Sequence, residues 1–256
     1  MPKVRLMPAI LEVAGLRKAF GGIVALDNVN LTIAQPGIYG LIGPNGAGKT
    51  TLFDVICGRQ EADSGSIRFE GQSVERLRVH RRARLGFSRT FQECRVLAEE
   101  SCLDNVLFAA QDKRLGSELV QGATRNTRGR SGALAEARRL LALVNLDHYA
   151  DTPAAALSYG QRRLLEIVSV LIARPKLLLL DEPASGVNPT LLNTLRDFLR
   201  RIYDERQIVF LIVEHNMEFI MSLASQMVVM HQGQILAQGT PAAVQADPRV
   251  IEAYLG

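Results

Sequence analysis

Eight consecutive residues constrain this chain more than any others: Gly43, Pro44, Asn45, Gly46, Ala47, Gly48, Lys49 and Thr50. They join an apolar run, Ile38 to Ile42, that reads as a buried strand to a helical run, Leu52 to Gly58, whose apolar positions are Leu52, Phe53, Val55 and Ile56. A glycine-rich turn in that setting directs backbone N–H groups toward a polyphosphate at a helix N-terminus, where the helix dipole also favours negative charge. Lys49 is then placed to bridge β and γ phosphates, and Thr50, followed by Thr51, to offer magnesium a hydroxyl. A strand, phosphate loop and helix in this order demand an α/β core.

The flanking pattern agrees with that demand. From Ile10 to Ile33 short strands alternate with turn signals, and Val29, Leu31 and Ile33 alternate with polar residues, which predicts an antiparallel front. Later, Leu177 to Leu180 and Ile208 to Val213 read as buried strands. Asn188 followed by Pro189 predicts a helix start, with Leu191, Leu192, Leu195, Phe198, Leu199 and Ile202 at helical spacing. A helix over Met217 to Ala224, a strand over Met227 to His231, a turn at Gln232 and Gly233 and a strand over Gln234 to Ala237 complete the series. Buried strands alternating with helices imply a mostly parallel sheet covered on both faces. Residues 93–158 differ, with helices expected over Leu103 to Asp112 and Ala133 to Leu146 and an irregular or flexible connection from Gly116 to Gly132.

Two carboxylates, Asp181 and Glu182, end the strand Leu177 to Leu180, where open α/β sheets place ligands. With the phosphate loop they point to a nucleotide hydrolase, Asp181 holding magnesium through water and Glu182 acting as general base on the attacking water. Other chemistries lack their residues. Cys57, Cys94 and Cys102 are an odd set without CxxC spacing, which argues against a disulfide framework or a zinc site. His80, His148 and His231 are too scattered to ligate a metal and read as surface or loop residues, while Met217, Met221, Met227 and Met230 read as core fillers. No stretch could span a bilayer, because the most apolar one, Leu164 to Leu180, contains Glu166, Arg174, Pro175 and Lys176. The N-terminus has no apolar run of signal length. A soluble chain in a reducing, cytosolic setting is the expectation.

Leu157, Ser158, Tyr159, Gly160 and Gln161 open a further helical run, and by themselves require no more than a serine N-cap. Placed ahead of Asp181 and Glu182, this LSYGQ closely resembles the signature of ABC-type ATPases, and the resemblance extends over nearly the whole chain. It implies a phosphate-loop NTPase core with a mostly parallel sheet, an N-terminal antiparallel β subdomain and an inserted α-helical subdomain. The 1–256 chain then forms a single ABC ATPase domain, with a RecA-like core and β subdomain in 1–92 and 159–256 and a helical subdomain in 93–158. Within it Phe20 resembles the aromatic that stacks on adenine, although the residue alone reads equally as a core phenylalanine. Gln92, in RTFQ, resembles the glutamine that touches magnesium and senses the transporter partner. His215, in VEHNM, resembles the switch histidine on the γ-phosphate. The family implies ATP and Mg2+ as ligands, and head-to-tail pairing with a second ABC ATPase subunit, the same or a different chain. Ser158, Gly160 and Gln161 of one subunit would then cap the nucleotide held by Lys49 of the other.

Tyr159 stands where the family has a glycine, and Asn188 where it generally has aspartate. A subgroup serving branched-chain amino acid uptake resembles this chain in both features. Further echoes are GFSRTFQ from Gly86 to Gln92, EHNM from Glu214 to Met217 and the ending VIEAYLG from Val250 to Gly256. That resemblance implies transmembrane permease subunits and, indirectly, a substrate-binding protein as partners, no nucleic acid, and a cytoplasmic, peripheral place on the inner face of the cell membrane. An ATPase of a lipid or lipopolysaccharide exporter, or a soluble ABC ATPase, remain the alternatives.

The net charge of +4 is unevenly spread. Arg76 to Arg89 contains six arginines and no acid, and Gln111 to Arg139 seven basic and three acidic residues; the resemblance implies that this excess faces permease and bilayer, which raises the expectation that it helps dock the chain there, with Arg81, Arg82 and Arg84 the residues to test, against ordinary solvated arginines.

Overall fold

A computed structural model describes residues 9–90, 94–111 and 127–255. The first half contains β1 (Leu11–Phe20), β2 (Ile23–Ile33), β3 (Gly37–Ile42), α1 (Lys49–Cys57), β4 (Ser64–Phe69), β5 (Gln72–Ser73), α2 (Val79–Leu85) and β6 (Phe87–Arg89). Among the described residues α3 (Cys102–Gln111) and α4 (Thr127–Leu143) follow, and then α5 (Tyr159–Leu171). The remainder is β7 (Leu177–Asp181), α6 (Pro189–Arg206), β8 (Val209–Val213), α7 (Met217–Leu223), β9 (Gln226–His231), β10 (Gln234–Gly239), α8 (Pro241–Gln245) and α9 (Pro248–Leu255).

The strands form two sheets. β2, β1, β4 and β5 make an antiparallel sheet in that order. The larger sheet has the order β10-β9-β3-β8-β7-β6, parallel throughout except for the β9–β10 pair. Its central strands are apolar without a break because each face buries its own side chains. Leu178, Leu180, Phe210 and Ile212 point into a core shared with α3, α4, α5, α6 and α7. Leu177, Leu179, Leu211 and Val213 point into a second core filled by Leu52, Phe53 and Ile56 of α1 and by Leu11, Leu16 and Leu31 of the antiparallel sheet. Met227 and Met230 fill opposite faces, one in each core, as expected of core methionines, and Met217 and Met221 pack at the edge of the first.

The middle of the chain departs from expectation in two ways. α4 begins at Thr127, so residues 127–132 are helical where an irregular connection is expected; residues 116–126 and Asp112 lie outside the described part. Ala137, Leu140 and Leu141 are wholly buried and supply a nucleus, and extending an existing helix through Gly132 and Ser131 is cheap compared with starting one. α4 ends at Leu143, three residues early, because Asn145 adopts a left-handed φ of 58° and the Leu146 N–H donates back to the Leu141 carbonyl at 2.9 Å.

The arginine-rich run is also only partly a surface. Arg76, Arg78, Arg81 and Arg84 are exposed, but Arg82 is buried at 2% exposure. Its guanidinium donates to the carbonyls of Val55 at 2.7 Å and Ile56 at 2.6 Å, the last turn of α1, and to those of Leu77 and Glu75 at 2.9 Å. It satisfies carbonyls that the end of a helix leaves without partners, at the pole where the dipole favours a cation. A docking role for Arg82 is thereby replaced by a structural one.

Candidate active site

The C-terminal ends of β3, β8 and β7 lie side by side, with Leu41 paired to Val213 and Val213 paired to Asp181. Each strand therefore delivers its next residues to one place: the loop from Gly43, the pair Asp181 and Glu182, and His215.

The loop keeps its shape through close backbone approach. A Cβ at Gly43, whose φ is 151°, would sit 2.1 Å from the Met230 carbonyl oxygen, and one at Gly48, φ 99°, 2.4 Å from the Ala25 carbonyl oxygen. Only glycine fits either position. The Gly233 N–H donates to the Ala47 carbonyl at 3.1 Å, tying the loop to the β9–β10 turn. Lys49, 6% exposed, folds its ammonium over the loop and donates to the carbonyls of Gly43 at 2.7 Å and Pro44 at 2.9 Å. Burial pushes its pKa down, and the nearby carboxylates of Glu182 and Asp181 oppose that shift. An anion entering the loop meets a cation already largely out of water and hydrogen-bonded to neutral carbonyls, so the pairing is worth more than at a wet surface. Thr50 stands exposed in the first turn of α1 and Thr51 half-buried beside it.

Asp181 is 4% exposed and braced from two sides. Its Oδ2 accepts from Arg89 Nη2 at 2.7 Å, and the other arm of Arg89 lies 2.5 Å from Asp54 Oδ1. Burial pulls the Arg89 guanidinium down in pKa, but the Asp181 hydrogen bond and the surrounding negative charge raise it above its ordinary value. On the backbone side, Arg163 of α5 donates to the carbonyl of Asp181 and, at 3.3 Å, to that of Glu182, while its other nitrogen lies 2.7 Å from Glu166 Oε2. Arg163 is 1% exposed, so the ion pair with Glu166 is sealed in the core. Neither arginine is flagged by sequence spacing; the only hint is an arginine at i and a glutamate at i+3 on an otherwise apolar helix stripe.

Glu182 adopts a left-handed φ of 46°, a conformation that costs a non-glycine residue about 1 kcal/mol or more. It is fixed there by its N–H donating to the Val213 carbonyl at 2.9 Å and by its carbonyl accepting from Ser185 at 3.1 Å. The twist turns its carboxylate toward His215, whose Nε2 lies 3.3 Å from Glu182 Oε1.

The remaining sequence-predicted residues fall elsewhere. Ser158, Gly160 and Gln161 start α5 at a second locus: Ser158 and Gln161 form a capping box, with the Gln161 N–H donating to Ser158 Oγ at 3.3 Å and the Ser158 N–H to Gln161 Oε1 at 2.9 Å. Ser158 and Gln161 line a cleft of about 420 Å³ with Asn188, Pro189, Thr190 and Leu191. Asn188 caps α6 by accepting from the Leu191 N–H at 2.9 Å, and Tyr159 lies so close to Gly186 that a Cβ there would meet its ring at 2.8 Å. Phe20 ends β1 at 44% exposure with the Lys18 ammonium 5.3 Å from its ring centroid, so it is no core phenylalanine. Gln92 lies outside the described residues. Among the described residues no group of histidine, cysteine and carboxylate side chains could hold a metal by itself, and no helix is long and apolar enough to cross a membrane.

Residues 26–185 match the family model of the ABC transporter, and residues 234–256 match that of the branched-chain amino acid ATP-binding cassette transporter. The high-affinity branched-chain amino acid transport ATP-binding protein BraF of Pseudomonas aeruginosa is 39% identical over 250 residues, which cover 96% of this chain and 98% of BraF. LivG of Escherichia coli, with the same description, is 38% identical over 96% of this chain and 98% of its own. An ATP-binding cassette of an ABC transporter solved in its ADP conformation superposes with a TM-score of 0.81 at 31% identity, over 97% of this chain and 99% of that one. A nucleotide-free cassette gives 0.80 at 30% identity, covering 97% and 100%. The α/β core, its phosphate loop and full-length likeness together place the chain in the ABC transporter family of ATP-binding, ATP-hydrolysing proteins.

Proposed function

We propose that this protein powers an importer of branched-chain amino acids, sitting on the cytoplasmic face of a permease pair and working with a second ABC ATPase subunit. The observation that carries this reading is the full-length likeness to BraF and LivG together with the match of residues 234–256 to the branched-chain transporter model. The division into a core of 1–92 and 159–256 and a helical subdomain of 93–158 belongs to the same reading.

In this account Phe20 stacks on adenine, the N–H groups of the Gly43 to Thr51 loop and Lys49 hold the phosphates, and His215 contacts the γ-phosphate. Magnesium suits the available donors, since the Thr50 hydroxyl, the Gln92 amide oxygen and the Asp181 carboxylate are hard oxygen ligands, and Arg89 engages only Oδ2 of Asp181. When bound it neutralises charge developing on the phosphates. Glu182 takes a proton from water as the water oxygen bonds to the γ-phosphorus; the bond from that phosphorus to the bridging oxygen breaks, and ADP leaves with the electron pair. Ser158, Gly160 and Gln161 of the second subunit close over the nucleotide, and hydrolysis releases them.

Glu182→Gln tests the base. The variant is expected to bind ATP as the wild type does and to turn over about 10²- to 10⁴-fold more slowly in the purified transporter. Unimpaired turnover would overturn the assignment. ATP-dependent leucine uptake by vesicles containing the co-purified permeases tests the substrate class, and uptake unaffected by omission of this chain would refute it.

A further inference from the structure

Between the loop after Glu182 and the turn carrying His215 lies a carboxylate with no place in the chemistry above. Glu214 is 3% exposed. Its Oε1 accepts the Ala184 N–H at 2.6 Å, and its Oε2 accepts the N–H groups of His215 at 3.0 Å and Asn216 at 3.1 Å. One side chain thus bridges two chain segments that are 30 residues apart, each of which holds half of the 3.3 Å contact between Glu182 and His215. Each segment is anchored on its own side, Glu182 by its N–H on the Val213 carbonyl and α7 by the Asn216 cap on the Phe219 N–H, and Glu214 is the side chain that joins the two. A buried carboxylate surrounded by three N–H donors gains from each of them, and each donor would be left without a partner if the carboxylate were lost. Burial raises the Glu214 pKa, the three N–H donors oppose that, and the Glu182 carboxylate adds to the rise.

We propose that Glu214 is a positioning residue that clamps the loop after Glu182 to the His215 turn, so that the general base and the γ-phosphate histidine move as one body. The same loop runs through Ser185 and Gly186 to Asn188, where it meets Tyr159 and the cleft of Ser158. Closure of a second subunit on that cleft would therefore be transmitted through Ala184 and Glu214 to His215, as well as directly to Glu182. The inference rests on the roles proposed for Glu182 and His215.

The test is single-turnover ATP hydrolysis by the intact transporter carrying Glu214→Gln, read with nucleotide affinity and Tm, and repeated in a His215→Ala background. Glutamine keeps the size but must turn an N–H2 toward Ala184 or toward His215 and Asn216, which opens one side of the clamp. The expected result is a rate about tenfold lower, or about 1.4 kcal/mol, with ATP affinity within about twofold of wild type. In the His215→Ala background the same change is expected to cost less than about twofold, because the unit it serves is already broken. An undiminished tenfold loss in that background, or a lowered Tm with a wild-type rate, would overturn the proposal. Should Glu214→Gln fail to fold, Glu214→Asp serves instead: it keeps the charge but is one methylene short of spanning both segments, and a wild-type rate there would likewise overturn it. If Glu182→Gln turns over normally, the role of Glu182 falls, while the coupling of Glu214 to His215 still stands or falls on the double-mutant cycle.

Discussion

The phosphate loop and the Ser158 cleft are both helix N-termini, yet they are built in opposite ways. Around Lys49 the backbone is packed against Met230 and Ala25, the cation is buried, and Arg89 and Arg163 brace Asp181 from its side chain and from its carbonyl. Around Ser158 the helix start satisfies itself with a capping box, and the neighbouring Asn188 spends its side chain on its own helix. The first locus keeps an unsatisfied appetite for anions inside a rigid frame; the second is content without a ligand. Under the proposed function, a site divided in this way would let one chain hold nucleotide while the groups that complete it arrive only when a second surface is brought up.

The contrast can be broken at its strong end first. Lys49→Ala removes the buried cation and is expected to abolish measurable ATP binding at concentrations that saturate the wild type; a fluorescent nucleotide titration checks this, and retained affinity would remove the loop from the account. Arg89→Met leaves two carboxylates, Asp54 and Asp181, without their shared partner, and breaking a buried pair in that way costs about 3–5 kcal/mol. Chemical denaturation should show a midpoint lowered accordingly, and a change under about 1 kcal/mol would mean that Asp181 is braced from elsewhere. Ser158→Ala, at the self-sufficient end, should lose only about 1 kcal/mol for the missing cap. The smallest effect concerns acid stability away from both loci. Hydrogen bonds from Arg139, followed by the charges of Arg139 and Arg206, hold the Glu136 carboxyl below its ordinary value of 4.5. A depressed carboxyl stabilises the fold above the unfolded value and loses that contribution as pH falls through the folded one. Glu136→Gln should therefore narrow the gap between stabilities measured near neutrality and below pH 4.5, with wild-type pH dependence as the contrary result.

Much of the strong locus is legible in the sequence because its cause is local. Glycines that must approach backbone, a lysine at the helix start and two carboxylates at a strand end all lie within a few residues of the structure they dictate. The helix starts at Ser158 and Asn188 are legible for the same reason. What escapes is the bracing. Arg89 meets partners 35 and 92 residues away, Arg163 reaches Asp181 across 18, and Glu214 spans 30. Such pairings are set by sheet order, which sequence period does not encode. Arg82 is the sharpest case, since five neighbouring arginines share its composition and only the C-terminal end of α1 decides that this one turns inward. Likewise the left-handed φ of Glu182 has no sequence cue, because it is imposed by hydrogen bonds to Val213 and Ser185 after the sheet has formed.

In the proposed arrangement one chain holds the nucleotide and Ser158 acts on a nucleotide held by another. Titration of ATP against the isolated chain carrying Ser158→Arg tests it most directly. The expected result is the wild-type dissociation constant, because every group proposed to hold the nucleotide lies within the chain at the Lys49 locus; an affinity about tenfold weaker or more would correspond to about 1.4 kcal/mol of binding supplied by Ser158 within the same chain, and would overturn the arrangement.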